Sequence, residues 1–168
     1  FVDPIDNLKI TDISNFGIYG LGSTNQEDAF SSNENLTISA ADTGNFQNVT
    51  DFREAWYGCT SLVSFPVIDT SSGIQFQNAW RGCTSLTSFP LLDVSSATNF
   101  NAAWRGCNSL ISFPRRFFNN CPAIDFTGAF TDTNLSSVAI SNILVSLDTA
   151  GQINGTFDQS GGSAPTTL

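Results

Sequence analysis

Apolar and polar positions repeat every 24 residues along the middle of the chain. One unit, residues 52–66, reads Phe-Arg-Glu-Ala-Trp-Tyr-Gly-Cys-Thr-Ser-Leu-Val-Ser-Phe-Pro, and close copies of it follow at residues 76–90 and 100–114. Self-similarity at a fixed period indicates stacked repeats, in which each unit buries its apolar side against its neighbours. We therefore predict four apolar columns as the core: Trp56, Trp80, Trp104, Cys59, Cys83, Cys107, Leu62, Leu86, Leu110, Phe65, Phe89 and Phe113.

Within each unit, the pattern predicts a short helix, a bend and a short strand. Phe100, Ala103 and Trp104 have the i, i+3, i+4 spacing of one helical face, which predicts about two helical turns over residues 97–104. Gly106 follows two residues after the Trp and accepts the left-handed conformation that ends such a turn. The next segment, Cys-x-Ser-Leu-x-Ser-Phe-Pro, fits a short strand that the Pro ends.

The repeat also predicts how the chain is organised. Degraded copies around Phe30 and Phe130 flank the three good units, as terminal repeats commonly do. We therefore predict about five units of 24–26 residues, stacked as a solenoid over residues 29–135. Residues 1–28 lack the motif and are expected to form an N-terminal lead-in that caps the first unit. Because the chain opens on Phe1 rather than Met, we expect a processed product or a piece of a longer protein.

Residues 136–158 are expected to close the other end of the stack. Ser136 is a helix-capping residue type, apolar residues at 140, 143, 144 and 147 follow at helical spacing, and Gly151 ends the pattern. This predicts an amphipathic capping helix, followed by a strand before residue 158. Residues 159–168 are rich in Gly, Ser and Thr, which is the composition of a linker-like tail.

The string Ala-Trp-x-Gly-Cys-x-Ser-Leu-x-Ser-Phe-Pro resembles the bacterial surface-protein (BspA-type) leucine-rich repeat, whose unit reads roughly Ala-Phe-x-x-Cys-x-x-Leu followed by an apolar residue and Pro. The similarity covers residues 30–135, with Trp where the pattern usually has Phe and with a Ser-Phe-Pro close. The resemblance implies an α/β repeat fold, a leucine-rich-repeat-like solenoid of short strands and short helices. It also implies a surface or virion protein, as in phage tail fibres, that adheres to another macromolecule or a glycan and has no catalytic motif.

Net charge narrows the choice of partners. Six Lys and Arg against 15 Asp and Glu give a formal charge of −9, which repels nucleic acid phosphates and anionic lipid headgroups. No run approaches the roughly 18 apolar residues that a membrane span needs. We expect neither nucleic acid binding nor membrane insertion, and an extracellular location on a cell surface or a virion.

The residues available for chemistry favour structural roles. The chain has no His, so Ser-His-Asp and Cys-His sites are excluded, and zinc lacks a suitable ligand set. A ladder of buried thiols is the simpler reading of the Cys column, with a Cys107–Cys121 disulfide as the alternative. Asp69 and Asp93 precede Ser-Ser and fit Asx turns or caps. With Asp42 and Asp125 they leave a carboxylate pair or a calcium role open, although the pattern predicts no metal or cofactor.

Two rows of outward positions are candidate binding surfaces. Residues between the buried strand positions form one row: Ser61, Val63, Ser64, Ser85, Thr87, Ser88, Ser109, Ile111 and Ser112. The position after each Trp forms the other: Tyr57, Arg81 and Arg105. Both rows also fit ordinary solvated positions. The segment Arg-Arg-Phe-Phe at 115–118 interrupts the repeat and is either a loop that touches a partner or a simple insertion.

Three functional hypotheses follow from these patterns. The first is a non-catalytic adhesion module that recognises a cell-surface glycan or protein. The second is a structural spacer or decoration subunit of a surface layer, fibre or phage particle, which contacts copies of itself. The third is a hydrolase of surface polysaccharide, which would need an acid with a raised pKa opposite a second carboxylate in a cleft.

Overall fold

Little of the chain forms a regular helix or a long strand. The computed structural model describes residues 10–15, 24–40, 44, 46–123 and 125–151. These residues contain two short parallel strands, β1 (Asp12–Ile13) and β2 (Thr37–Ile38), and one α-helix, α1 (Ser137–Thr149). Turns and isolated bridges between successive repeats hold the rest of the described chain together.

Two rows of parallel bridges join each repeat to the next. The first row runs through Asn25, Asp51, Gln75, Asn99 and Asp125, and the second runs through Ser64, Ser88 and Ser112. Bridged residues are 24 apart in the middle of the chain and 26 apart at both ends of the first row. Equivalent residues of successive repeats therefore lie above one another, at the spacing of about 4.8 Å that neighbouring strands have.

The short helix predicted over residues 97–104 is wrong, because residues 97–100 contain only the bridge at Asn99 and residues 101–104 form turns. The Ala103 N–H donates to the Phe100 carbonyl of its own turn (3.0 Å), whereas the Trp104 N–H donates to the Ala129 carbonyl of the next repeat (2.9 Å). A helix would need both bonds within one segment. Alternate N–H groups donate to carbonyls of the next repeat, so the hydrogen bonds of a helix do not form.

Each turn contains two residues in the left-handed region, four positions apart. The second of these positions holds Gly58, Gly82 and Gly106, with φ between 70° and 75°. This confirms the left-handed conformation predicted for the Gly after each Trp, although no helix ends there. The first position holds Glu54, Asn78 and Ala102, with φ between 51° and 55°. A side chain costs about 1–2 kcal/mol in that conformation, so stacking must offset this cost at three successive levels.

All twelve predicted core positions are buried, none of them more than 6% exposed. The rings of Trp56 and Trp80 are parallel within 3° with centroids 5.6 Å apart, and Trp80 and Trp104 repeat this at 7° and 5.4 Å. Phe89 stands at 75° to Trp80, with centroids 4.7 Å apart. Stacked and edge-to-face pairs are the favourable arrangements of aromatic rings, and both recur along this core.

The Cys column lies against the backbone of the preceding repeat. The thiols of Cys59, Cys83 and Cys107 donate to the carbonyls of Phe30, Trp56 and Trp80 at 3.1–3.2 Å. Neither these three thiols nor that of Cys121 forms a disulfide. The structure therefore has the ladder of buried thiols and not the alternative Cys107–Cys121 disulfide.

Helix α1 closes the C-terminal end of the described stack, as predicted. Ser136 is its N-cap and accepts a hydrogen bond from the Ala139 N–H (3.2 Å). The Ser136 N–H donates to the Ile111 carbonyl (2.9 Å), so the helix starts where the second row of bridges would continue. Ile140 and Ile143 are buried against the core. The strand expected after the helix and the tail at 159–168 lie outside the described residues, as does most of the lead-in.

Candidate functional site

The first predicted binding row includes the second row of bridges and the residues next to it. Six of its residues are exposed, and we call them the strand face: Val63, Ser64, Thr87, Ser88, Ile111 and Ser112. Ser61, Ser85 and Ser109 of the same row are half-buried. The stacking of repeats thus brings the six exposed side chains together in two parallel columns, three levels deep.

Backbone hydrogen bonds hold the strand face in place. The Thr87 N–H donates to the Val63 carbonyl and the Ile111 N–H donates to the Thr87 carbonyl, both at 3.0 Å. The Thr87 hydroxyl also donates to the Val63 carbonyl (3.3 Å), which orients that side chain. A face whose main chain is already ordered loses little conformational entropy when a partner binds.

Large apolar side chains are exposed on and next to the strand face. Val63 and Ile111 are 56% and 51% exposed. Val67 and Leu91, directly after the Phe-Pro of their units, are 56% and 54% exposed. Val67 and Leu91 were not among the predicted binding residues, although their equivalent positions in two units could have predicted a shared exposed site. A single exposed apolar residue is ordinary, but exposure at matching positions of successive repeats is typical of an interaction surface.

The second predicted row, which we call the turn edge, comprises Tyr57, Arg81 and Arg105. Tyr57 and Arg81 are half-buried, and the guanidinium carbon of Arg81 lies 5.7 Å from the centre of the Tyr57 ring, a cation–π distance. Arg81 also donates to Asn78 Oδ1 at 3.4 Å. Arg105 is exposed. Arg81 is thus engaged within the protein, which makes the turn edge a weaker candidate surface than the strand face.

Arg53, which the sequence analysis did not select, belongs to an ion-pair cluster across two repeats. Its Nη2 lies 2.7 Å from Asp51 Oδ2 and 3.1 Å from Glu27 Oε2. Partial burial of Asp51 opposes ionisation, but the hydrogen bonds from Arg53 outweigh it and lower the pKa of Asp51. The guanidinium of Arg53 is therefore already paired with carboxylates and is a poor anion site.

The Asp residues considered as acid–base or calcium groups serve in turns. Asp69 Oδ1 accepts from the N–H and hydroxyl of Ser71, at 3.1 and 2.7 Å. Asp93 Oδ1 accepts from the N–H and hydroxyl of Ser95, at 3.0 and 2.6 Å. These are the predicted Asx turns, which are confirmed.

Asp125, the remaining described candidate carboxylate, also belongs to a turn. Asp125 accepts a hydrogen bond from the Thr127 N–H at 3.0 Å, another Asx turn, and Asp42 lies outside the described residues. Among the residues that the structure describes, no three His, Cys, Asp or Glu side chains come together as metal ligands.

Burial suppresses the reactivity of the thiols. It raises the pKa of Cys59 and Cys107 to about 12, that of Cys121 to about 11, and that of Cys83 well above its ordinary value. The thiolate is the nucleophile and the metal ligand, and at neutral pH these side chains remain protonated. The Cys column therefore acts as a column of small apolar residues.

A groove of about 480 Å³ opens between residues 91–95 and residues 116–120 of the next repeat. Leu92, Val94 and Phe117 are its buried members, and Leu91, Asp93, Ser95, Arg116 and Asn120 are exposed around them. Its volume is within the range of small-ligand sites, and its lining is half apolar and half polar. The interruption at 115–118 is visible in the sequence, but the groove also needs the loop at 91–95, which only the fold places opposite it.

Two buried rings and helix α1 anchor the loop that carries Arg116. Phe117 and Phe118 are 3% and 0% exposed. The Phe118 N–H donates to Ser146 Oγ (2.7 Å), and the Ser146 hydroxyl donates to Asn119 Oδ1 (2.9 Å). Arg116 itself adopts φ +63°, a left-handed conformation that this anchoring supports. One side of the groove is therefore held in a defined position.

Comparison of the chain with family models, with curated proteins and with solved structures finds no match. The resemblance to the BspA-type repeat thus stays a prediction. Within the described ranges, no helix has the length and apolar character to cross a bilayer. The strand face and the groove are the described surfaces best suited to bind a partner.

Proposed function

We propose that this chain is a non-catalytic binding module, a leucine-rich-repeat-like solenoid displayed on a cell surface or a virion, where it recognises a cell-surface glycan or protein. The observation behind this proposal is the strand face, on which Val63 and Ile111 are each more than half exposed in line with hydroxyl side chains. Apolar surface in water is unfavourable, and a bound partner removes it from water.

The spacing of the strand face suits a partner that is itself repetitive. Ser64, Ser88 and Ser112 are joined by parallel bridges, so their side chains recur at the strand spacing of about 4.8 Å. Each hydroxyl offers a donor and acceptor sites. A row of such groups beside apolar residues supports multi-point contact with a glycan chain or an extended peptide.

The state of the four thiols and of Asp69 and Asp93 supports a binding role over catalysis. The four thiols are buried and protonated, and Asp69 and Asp93 are held in Asx turns by the backbone and hydroxyl of Ser71 and Ser95. Hydrogen bonds from Ser95 lower the pKa of Asp93, which is opposite to the raised pKa that a general acid needs.

A glycan-array and whole-cell binding screen of the purified chain tests the proposal. We expect specific binding that falls at least about tenfold in a Val63→Ser/Ile111→Ser double variant, because both side chains lie on the strand face. Ile74→Ser is the matched control, since Ile74 is an exposed apolar residue beside the first row of bridges. Equal loss in the control, or no binding by the folded chain, would contradict the proposal.

A structural spacer or decoration subunit is the second candidate, and the same apolar exposure favours it. Val63 and Ile111 are equally suited to contact a second copy of the chain. Sedimentation velocity separates the two functions. Self-association that the double variant abolishes, without binding to any glycan or cell, supports the spacer, whereas a monomer that binds cells supports the adhesion module.

A further inference from the structure

The groove presents polar atoms that have no partner in the described part of the chain. The guanidinium of Arg116 and the side-chain amide of Asn120 make no hydrogen bond or ion pair there. Asp93 uses only Oδ1 for the two bonds from Ser95, so Oδ2 is unpaired. The groove thus offers a guanidinium, an amide and a carboxylate oxygen around an apolar floor.

These groups indicate the charge and shape of a ligand. A guanidinium fork binds a carboxylate through two parallel hydrogen bonds, and the adjacent exposed Arg115 adds positive charge. The ionised Asp93 only accepts hydrogen bonds, which favours ligand hydroxyls and disfavours a doubly charged phosphate. Leu91 and the buried Leu92, Val94 and Phe117 fit an apolar ring face.

We propose that the groove binds one acidic sugar residue, such as a uronic acid, with Arg116 holding its carboxylate and Asp93 accepting from its hydroxyls. This inference rests on the proposed function, because it names the class of glycan that the module recognises. It adds the groove to the strand face as a second place of contact, and Leu91, one of the exposed apolar residues next to the strand face, lines the groove.

Titration of the ¹⁵N-labelled full chain with methyl glucuronoside, followed by amide chemical shifts, tests this site. We expect saturable shifts confined to residues 91–95 and 115–121, and weaker binding of methyl glucoside, which lacks the carboxylate. Arg116→Gln should weaken the affinity at least about tenfold, and Arg116→Lys should recover part of the loss. Arg53→Gln is the matched control, since Arg53 lies outside the groove and is already paired with Asp51 and Glu27, and this variant should bind like the wild type.

The outcomes separate this inference from the proposed function. No saturable shift, shifts elsewhere, or equal affinity for the neutral glycoside would overturn the acidic-sugar site, even if the strand face still binds cells. Saturable binding that depends on Arg116 supports the site even if whole-cell binding is absent. Thermal unfolding of each variant checks that it is folded. Asp93→Asn supplies a second test, because loss of the Asp93 carboxylate should also weaken binding.

Discussion

The central repeats and the two end repeats fill the same aromatic core position with different residues. In the centre, Trp80 stacks between Trp56 and Trp104 with rings parallel within 7°. At the ends, Phe30 lies 6.2 Å from Trp56 at 19°, and Phe130 lies 5.1 Å from Trp104 at 4°. The position therefore requires a flat ring parallel to its neighbours, and Trp is one way of supplying it.

The use of Trp in the central repeats has a free-energy cost that Phe in the end repeats avoids. The indole Nε1 atoms of Trp56, Trp80 and Trp104 are buried, and none has a hydrogen-bond partner in the described ranges. An unpaired buried donor costs about 1–3 kcal/mol, while Phe30 and Phe130 carry no such group. The larger area of the indole ring must offset this cost, so the column is selected by shape and burial rather than by hydrogen bonding.

Trp80→Ala tests the central stack with the largest expected effect. Removing a fully buried ring should lower the free energy of unfolding by about 3–5 kcal/mol in urea denaturation. Trp80→Phe makes the central repeat like an end repeat and removes the unpaired N–H, so it should cost less than about 1.5 kcal/mol. A loss below about 1 kcal/mol for Trp80→Ala would contradict the stacking.

Ser146 tests how helix α1 supports the irregular loop near the C-terminal end. In Ser146→Ala, the buried Phe118 N–H loses its acceptor, and we expect a loss of about 1–3 kcal/mol in the free energy of unfolding. Thr149→Ala is the control, because its hydroxyl donates to a carbonyl of its own helix on an exposed surface. Because Ala is the better helix former, helix propensity alone would stabilise both variants, and a loss in Ser146→Ala no larger than that in Thr149→Ala would contradict the role of Ser146 in holding the loop.

The sequence predicts much of this core because the period repeats the same apolar residue at every level. It fails at residues 97–104, where Phe100, Ala103 and Trp104 have helical spacing but alternate N–H groups bond to the next repeat. Tertiary contacts override local propensity there. The groove was also beyond prediction, because it joins residues 91–95 to an insertion that a linear pattern cannot place opposite them.

The thiol ladder gives the central repeats a pH dependence that the ends lack. Asn33 and Thr133 stand at the equivalent end positions and do not titrate in this range. The folded-state pKa of Cys59 and Cys107, about 12, exceeds the ordinary 9.0, so the protonated thiols stabilise the fold fully below pH 9. As the pH rises from 9 towards 12, each thiol should remove about 1.4 kcal/mol per pH unit.

Denaturation between pH 8 and 11 measures this slope. In a Cys59→Ala/Cys83→Ala/Cys107→Ala variant, three thiols no longer titrate, and most of the loss of stability with rising pH should disappear. Asp69→Asn is the control, because Asp69 belongs to an Asx turn outside the ladder. An unchanged slope in the triple variant would mean that burial does not raise the pKa of these thiols in the folded protein.

The smallest expected effect comes from exchanging the left-handed residues of a central and an end repeat. Gly82 has φ +75°, whereas Ser32, at the same place in the first repeat, has φ +60°. A Cβ on Gly82 would lie 3.7 Å from the Gly58 Cα, an ordinary contact, so space is not the constraint. Gly82→Ser should therefore cost about 1 kcal/mol through backbone conformation alone, and Ser32→Gly should stabilise by about 0.5 kcal/mol. If thermal denaturation shows both changes to be destabilising, contacts between repeats rather than backbone strain would account for glycine in the centre.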